Sequence, residues 1–312
     1  MKPKFTLPVF LFLLFCFLIA SRDTLIFVFL EEKKIEAPFM LFIFAISATV
    51  FTWIVQIYNS KKISFIKIYV DSTPKNRIKF IKLSIATLLV YVITIYGISV
   101  LSPGILNFAE YGIMPAMTLL LAIKSTKETL KKRQLFATII GLVGVLCFAL
   151  IRDEKYNPMP NGFMWFAWIC LIGISAYLTS LCSLYQKQLV DDGLSPESVL
   201  MYRFPLTAIC SLVACLIFKV NMDWLIVPQL LLISLLTVFL PLYLLCYAFM
   251  KETLGRFSIY IFFVPLFTVL LGLIFLPQLT IYRNTMFIVG AVIILFSFLL
   301  FEGVFSKKEK VE

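Results

Sequence analysis

The chain is predicted to be an all-α integral membrane protein of ten transmembrane helices arranged as two inverted five-helix repeats. Three observations point there. Sixty-one per cent of its 312 residues are hydrophobic and 14% are charged, more apolar surface than a soluble domain of this length could hide from water. Ten apolar stretches, each of bilayer-crossing length at about 20 residues per span, fill almost the whole sequence. The basic residues sit mainly in the segments between them, sorted by side.

In order, the spans are expected at roughly Phe5–Leu30, Pro38–Tyr58, Ile78–Val100, Pro103–Ile123, Gln134–Ile151, Gly162–Tyr185, Pro196–Phe218, Trp224–Met250, Leu254–Leu276 and Tyr282–Val304. Backbone groups in hydrocarbon must satisfy one another, so these runs are helices; barrel strands would be shorter and alternate in polarity. The first run follows Met1-Lys2-Pro3-Lys4 and superficially resembles a signal peptide. It resumes after Arg22-Asp23 and continues to Leu30, so it is read as a retained span. No loop between spans reaches the size of a soluble domain.

With the N-terminus cytoplasmic, Lys2, Lys4, the clusters Lys61–Lys82 and Lys124–Arg133, Lys187, Lys251, Arg256 and tail lysines 307, 308 and 310 face inward. That places 20 basic residues inside against six outside (Lys33, Lys34, Arg152, Lys155, Lys219 and Arg283). This split predicts both termini inside and an even number of spans. It also explains the net charge of +11 through topogenic loops and lipid headgroups, so no nucleic-acid partner is expected. Asp191-Asp192-Gly193 reads as a helix-ending turn.

Composition removes most enzyme chemistry. There is no histidine, hence no Ser–His or Cys–His nucleophile pair and no histidine metal site. The seven cysteines lie in apolar stretches without C-x-x-C spacing and read as small apolar residues. No P-loop and no paired acidic clusters for Mg²⁺ occur. No enzyme activity, cofactor or metal is expected.

The two halves share a spacing. Pro115, Glu128, Gln134 and Gly141 follow one another at intervals of 13, six and seven residues; Pro265, Gln278, Asn284 and Gly290 follow at 13, six and six. Tyr96-Gly97 precedes the first set and Tyr247-Ala248 the second. Gly141 and Gly144, like Gly290 and Ala291, are small enough to let helices approach closely. Residues 1–152 and 160–305 are therefore expected to be the two repeats, followed by a cytoplasmic tail, 306–312. Because each has five spans, an odd number, the copies must insert in opposite orientation, an arrangement typical of alternating-access carriers.

On these residues the chain resembles the drug/metabolite transporter superfamily, closest to ten-span EamA-like transporters. The Tyr202-Arg203 pair also resembles an arginine common in the family's second repeat. The sequence departs from the pattern at Gln278, where Glu is usual, and at Leu254-Gly255-Arg256-Phe257-Ser258, where nucleotide-sugar members carry Gly-Ala-Leu-Asn-Lys. The resemblance implies a carrier that moves small metabolites without ATP through a central cavity.

Charge inside a span costs about 2.5–3.5 kcal/mol on insertion scales, so the few intramembrane ions mark candidate sites. Arg22, Asp23, Glu110 and Arg203 are these residues. Arg22, Asp23 and Glu110 fall at similar depth in the outer half, and Arg22 is expected to pair with Glu110 while Asp23 faces the same polar pocket. Successive residues diverge by about 100° on a helix, which disfavours full neutralisation of Arg22 by its neighbour. Arg203 is read either as snorkelling toward headgroups or as an anion-binding gate residue. Tyr96, Asn107, Tyr111, Tyr247 and Tyr260 complete the expected lining, with Tyr260 opposite Glu110 in the repeat. Pro115, Pro205, Pro241 and Pro265 lie within spans and can kink them. If an ion is coupled, Asp23 or Glu110 is the expected proton carrier, since desolvation favours the neutral carboxyl.

The expected function is secondary transport of a small polar metabolite, an amino acid or another zwitterion or organic anion. The alternatives are a nucleotide-sugar or sugar-phosphate exchanger of the same superfamily, and a channel or structural scaffold. Expected partners are the substrate, a coupled proton or counter-substrate, membrane lipids and, as an alternative to the monomer, a second copy of the chain. The membrane would be the plasma membrane in a bacterium and an endomembrane in a eukaryote, where Lys308-Glu309-Lys310-Val311-Glu312 would fit a retrieval tail.

Overall fold

The computed structural model describes residues 7–32, 34–60, 72–100, 103–127, 132–149, 162–275 and 281–302. Among these residues the protein is helical without strands. Helices α1 (Leu7–Glu32), α2 (Ala37–Ser60), α3 (Pro74–Val100), α4 (Pro103–Leu121) and α5 (Lys132–Ala149) form the first half. The second begins with α6 (Gly162–Asp191), α7 (Pro196–Met201), α8 (Pro205–Ile217) and α9 (Val227–Ser234). It continues through α10 (Leu240–Phe249), α11 (Leu254–Tyr260), α12 (Phe263–Phe275) and α13 (Ile281–Glu302). Among the described residues seven helical segments are long and apolar enough to cross a membrane, and Ile288–Glu302 is a shorter apolar helix. The repeat positions Glu128 and Gln278 and the tail 306–312 lie outside the described residues.

Prolines explain where the second half departs from straight rods. A proline lacks the N–H that an interior helical position requires and clashes with the preceding turn. Pro205 opens α8 after a break at residues 202–204. Pro241 opens α10 after a π-helical turn, Leu235–Phe239. Pro265 falls in the first turn of α12, after a turn that separates it from α11. Pro115, by contrast, is carried within α4. The expected turn at Asp191-Asp192-Gly193 is present. Gly193 takes φ +85°, which suits glycine because no Cβ meets the carbonyl. Leu194 N–H then donates to Leu189 C=O at 3.2 Å, and Gly193 N–H to Val190 C=O at 3.0 Å, closing the helix end. Helix α6 therefore runs to Asp191, past the Tyr185 boundary expected from hydropathy, because its last two turns are polar but still helical.

The halves interleave. Helix α1 packs on α10 and α12 of the second half, and α6 packs on α3 and α4 of the first. Helix α2 lies along α8, and α5 along α13. Phe12 of α1 is fully buried against Phe249, Phe257 and Tyr260, with ring centroids 5.1–6.1 Å apart. Such aromatic pairs add about 0.5–1.5 kcal/mol each beyond their burial.

The α5–α13 contact depends on small residues, as the sequence predicted. A Cβ on Gly144 would lie 3.0 Å from Ile293 Cγ2 and 3.2 Å from the Gly290 carbonyl oxygen. At Gly141 a Cβ would come within 2.4 Å of Phe262 Cε2, and Phe262 is fully buried. Gly141→Ala therefore forces the ring aside, and overpacking of this kind costs about 1–3 kcal/mol. A lowered melting temperature for Gly141→Ala, with a further drop for Gly141→Val, is the expected result in detergent-solubilised protein.

Candidate functional site

Polar side chains converge where α1, α3, α4, α6 and α12 meet. Each is held by its spacing on a helix. On α4, Asn107, Glu110 and Tyr111 lie three and four residues apart and so share one face. On α3, Tyr91 and Thr94 do the same; on α6, Ser175 and Thr179 do. Helix α1 presents Arg22 and Asp23, flanked by Ser21 and Thr24, whose hydroxyls donate back to Phe17 C=O (2.8 Å) and Ala20 C=O (3.0 Å).

Arg22 and Asp23 are buried, 6% and 0% exposed. Arg22 Nε donates to Asp23 Oδ1 at 2.6 Å, and Arg22 Nη2 to the Tyr111 hydroxyl at 3.3 Å. The guanidinium carbon also stands 5.5 Å from the centre of the Tyr91 ring, within cation–π range. The expected Arg22–Glu110 pair is thus replaced by a pair between neighbours in sequence. The 100° offset fixes where the two stems leave the helix. It does not fix where an arginine head ends, because the flexible stem folds back and presents Nε to the adjacent carboxylate.

Glu110 is held by hydroxyls. Its Oε1 accepts from Thr179 Oγ1 at 2.9 Å and from Ser175 Oγ at 3.2 Å, and its Oε2 from Thr94 Oγ1 at 3.5 Å. Asn107 Nδ2 donates to Thr268 Oγ1 at 2.9 Å, tying α4 to α12 across the halves. Two acceptors in this region, Asp23 Oδ2 and Asn107 Oδ1, are buried and have no hydrogen-bond partner among the described residues.

Arg203 lies in the break between α7 and α8, 4% exposed. The helices on either side of it pack on their neighbours, α7 on α6 and α10 and α8 on α3, so α3, α6 and α10 surround the break. Tyr91 connects it to Arg22: one arginine stands over that ring, and Phe204 meets the ring edge-on at 5.6 Å. The burial is at odds with snorkelling, which would leave the charged head in contact with the exterior.

Three expected residues lie elsewhere. Tyr96 is 38% exposed and Tyr247 43% exposed; Tyr247 meets Tyr243 at 5.1 Å, which stacks on Phe239 at 5.5 Å. Tyr260 is fully buried, but its hydroxyl donates to Glu302 Oε1 at 3.1 Å. There it joins a network in which Arg256 holds Glu302 through Nε (3.1 Å) and Nη2 (2.8 Å) and Glu252 through Nη1 (2.6 Å). Sequence reasoning passed over Thr94, Ser175 and Thr179. The signal was available: Ser175, Thr179 and Ser183 recur every four residues along an otherwise apolar span, a polar stripe on one helix face.

The cluster holds both charges and open acceptors in a buried setting, suited to binding a polar or charged molecule. No curated protein matches the chain in sequence. The fold is similar to that of a protein of known crystal structure, with a TM-score of 0.74 and 12% identity over 97% of this chain and 99% of that one. At that identity the likeness is one of fold alone. The apolar helices make the chain a multi-pass integral membrane protein. Residues 166–303 match the model of the EamA-like transporter family, a match over the second half of the chain that is consistent with the resemblance to the drug/metabolite transporter superfamily read from the sequence.

Proposed function

We propose that the protein is a secondary transporter that carries a small polar metabolite, an amino acid or other zwitterion or organic anion, by alternating access through a central cavity. The observation that carries this reading is the buried cluster of Arg22, Asp23, Asn107, Glu110 and Tyr111 at the meeting of the two halves. A static scaffold gains nothing from burying an ion pair, because desolvation offsets much of its attraction, whereas a carrier needs charge where substrate passes.

Ten spans in two inverted repeats fit the same reading, with both termini cytoplasmic. The packing supports the two-fold relation. The first span lies on the eighth and ninth, and the sixth on the third and fourth; the second pairs with the seventh and the fifth with the tenth. Exchanging the halves converts each of these pairings into another member of the set. Rocking of one half against the other would then open the cluster to each side in turn, and the proline-marked breaks of the last three discontinuous spans supply bending points. Arg22, Asp23, Glu110, Arg203, Asn107 and Tyr111 would line the path.

Metabolite profiling of cells with and without the protein should expose the substrate class. Counterflow in proteoliposomes then tests the mechanism. Saturable uptake stimulated by internal substrate is the expected result; non-saturable flux or single-channel current would replace the carrier with a pore.

A further inference from the structure

Arg203 is a charged group without a matching charge. Its Nε and Nη1 are buried and have no hydrogen-bond partner among the described residues. The ion pairs found there use Arg22, Lys79, Lys187 and Arg256, not Arg203. The guanidinium carbon stands 5.7 Å from the centre of the Phe204 ring, but a ring face does not neutralise a buried charge, which is disfavoured unless something arrives to meet it.

Its position adds a second feature. The break at residues 202–204 ends at Pro205, the first residue of α8, so the N-terminus of that 13-residue helix opens in the same interruption. A helix N-terminus offers free N–H groups and the positive end of the dipole. Thr207, in the first turn of α8, is fully buried and its Oγ1 has no hydrogen-bond partner among the described residues. Guanidinium, hydroxyl and helix terminus are all able to donate to an anion, and interrupted membrane helices are where such groups collect around substrates. Buried acceptors are also left over elsewhere in the interior. Gln186 uses its Nε2 on Cys246 Sγ at 3.4 Å while its Oε1, like Asp23 Oδ2 and Asn107 Oδ1 of the cluster, has no hydrogen-bond partner among the described residues.

We infer that the break in the seventh span is an oxyanion seat, in which Arg203, Thr207 and the start of α8 hold the carboxylate or phosphate of the transported molecule. This rests on the transporter reading and narrows it to substrates with an oxyanion at one end. The open acceptors favour N–H or O–H donors elsewhere on the same molecule, as in an amino or hydroxy acid.

Thermal unfolding in phosphatidylcholine nanodiscs tests it, with sodium acetate or sodium phosphate replacing sodium chloride at constant ionic strength. Either oxyanion should raise the melting temperature of the wild type by mass action. Arg203→Gln should shift the half-effective concentration up about 30-fold or more, the scale for losing one partner of a buried charge pair. Arg203→Lys should keep part of the response. Without oxyanion, Arg203→Gln should melt no lower than wild type, since it removes an uncompensated charge. Should Arg203→Gln not fold, Thr207→Val in the same assay decides, with a weakened response expected and an unchanged one overturning the seat.

Equal responses in wild type and Arg203→Gln, or none in wild type, would overturn the seat. So would Arg203-dependent stabilisation seen only with phosphatidylglycerol in the disc, which would make the group a lipid headgroup site. Counterflow separates this inference from its parent. Wild-type counterflow retained in Arg203→Gln would sink the seat alone. Absence of counterflow for every metabolite, with oxyanion binding intact, would sink the transporter reading alone.

Discussion

Asp23→Ala should destabilise the protein by about 3–5 kcal/mol, the range for breaking a buried ion pair by removing one partner, and should abolish transport. The reasoning runs through Arg22. Its guanidinium is buried with Nε on Asp23 and Nη2 on the Tyr111 hydroxyl, and the alanine leaves only the neutral partner. A buried cation then has a phenol and the face of Tyr91 in place of a carboxylate. Replacing both residues tests whether the lost stability belongs to the pair or to the stranded charge. Arg22→Leu with Asp23→Leu should recover most of the melting temperature, because two apolar side chains avoid the desolvation that the ions incur. Flux should stay absent in the double variant. Thermal melts of purified protein and counterflow in liposomes read the two quantities independently. A double variant as unstable as Asp23→Ala would mean that the pair stabilises the fold in its own right.

The contrast between what the sequence discloses and what it conceals follows from the range of the interactions. Apolar spans, the Gly141 and Gly144 contacts, the Asp191-Asp192-Gly193 turn and the burial of the four ions depend on composition and helical spacing, which are local. Pairing of the ions depends on side-chain reach across a crowded interface. Arg22 could meet either Asp23 or Glu110 by depth alone, and the flexibility of its stem decided between them. The exposure of Tyr96 and Tyr247 has a similar origin: a tyrosine suits both a membrane-facing surface and a polar interior, and rotation of the helix about its axis selects one. Tyr260 stands five residues before its proline, as Glu110 does, yet its hydroxyl lies away from the Glu110 cluster. Its partner there is Glu302, from the end of the chain's last described helix, and no spacing within its own span could announce that. The three breaks were legible as prolines, yet Pro115 shows that a proline permits a break without requiring one. That Arg203 Nε and Nη1 have no hydrogen-bond partner among the described residues was the least legible feature, since it is a property of the packed interior and not of local spacing.

Glu110→Gln, in turn, should leave the fold nearly unchanged while uncoupling transport from a proton gradient. The two acids differ in what surrounds them. Asp23 faces a fixed cation, whereas Glu110 touches the hydroxyls of Thr94, Ser175 and Thr179. A hydroxyl donates to a carboxylate and, after rotating, accepts from a carboxylic acid, so this shell receives either form without moving a backbone. It also tolerates loss of the acid, because serine and threonine on a helix can turn back to carbonyls of their own preceding turn. The expected stability change for Glu110→Gln is therefore within about 1 kcal/mol, the scale of one net hydrogen bond. Glutamine preserves size and one accepting oxygen, its amide nitrogen donating where the second oxygen accepted, but it cannot take up a proton. If Glu110 carries the coupled proton, the variant keeps substrate counterflow at equal pH on both sides and loses accumulation driven by an imposed pH difference. Accumulation that persists in Glu110→Gln would transfer the role to Asp23 or to a group outside the cluster. Measuring the same gradient response in the Arg22–Asp23 double variant cannot separate these, because that variant is expected to lack flux. Asp23→Asn, which keeps an acceptor for Arg22, is the informative second measurement: retained counterflow without gradient response would assign the proton to Asp23.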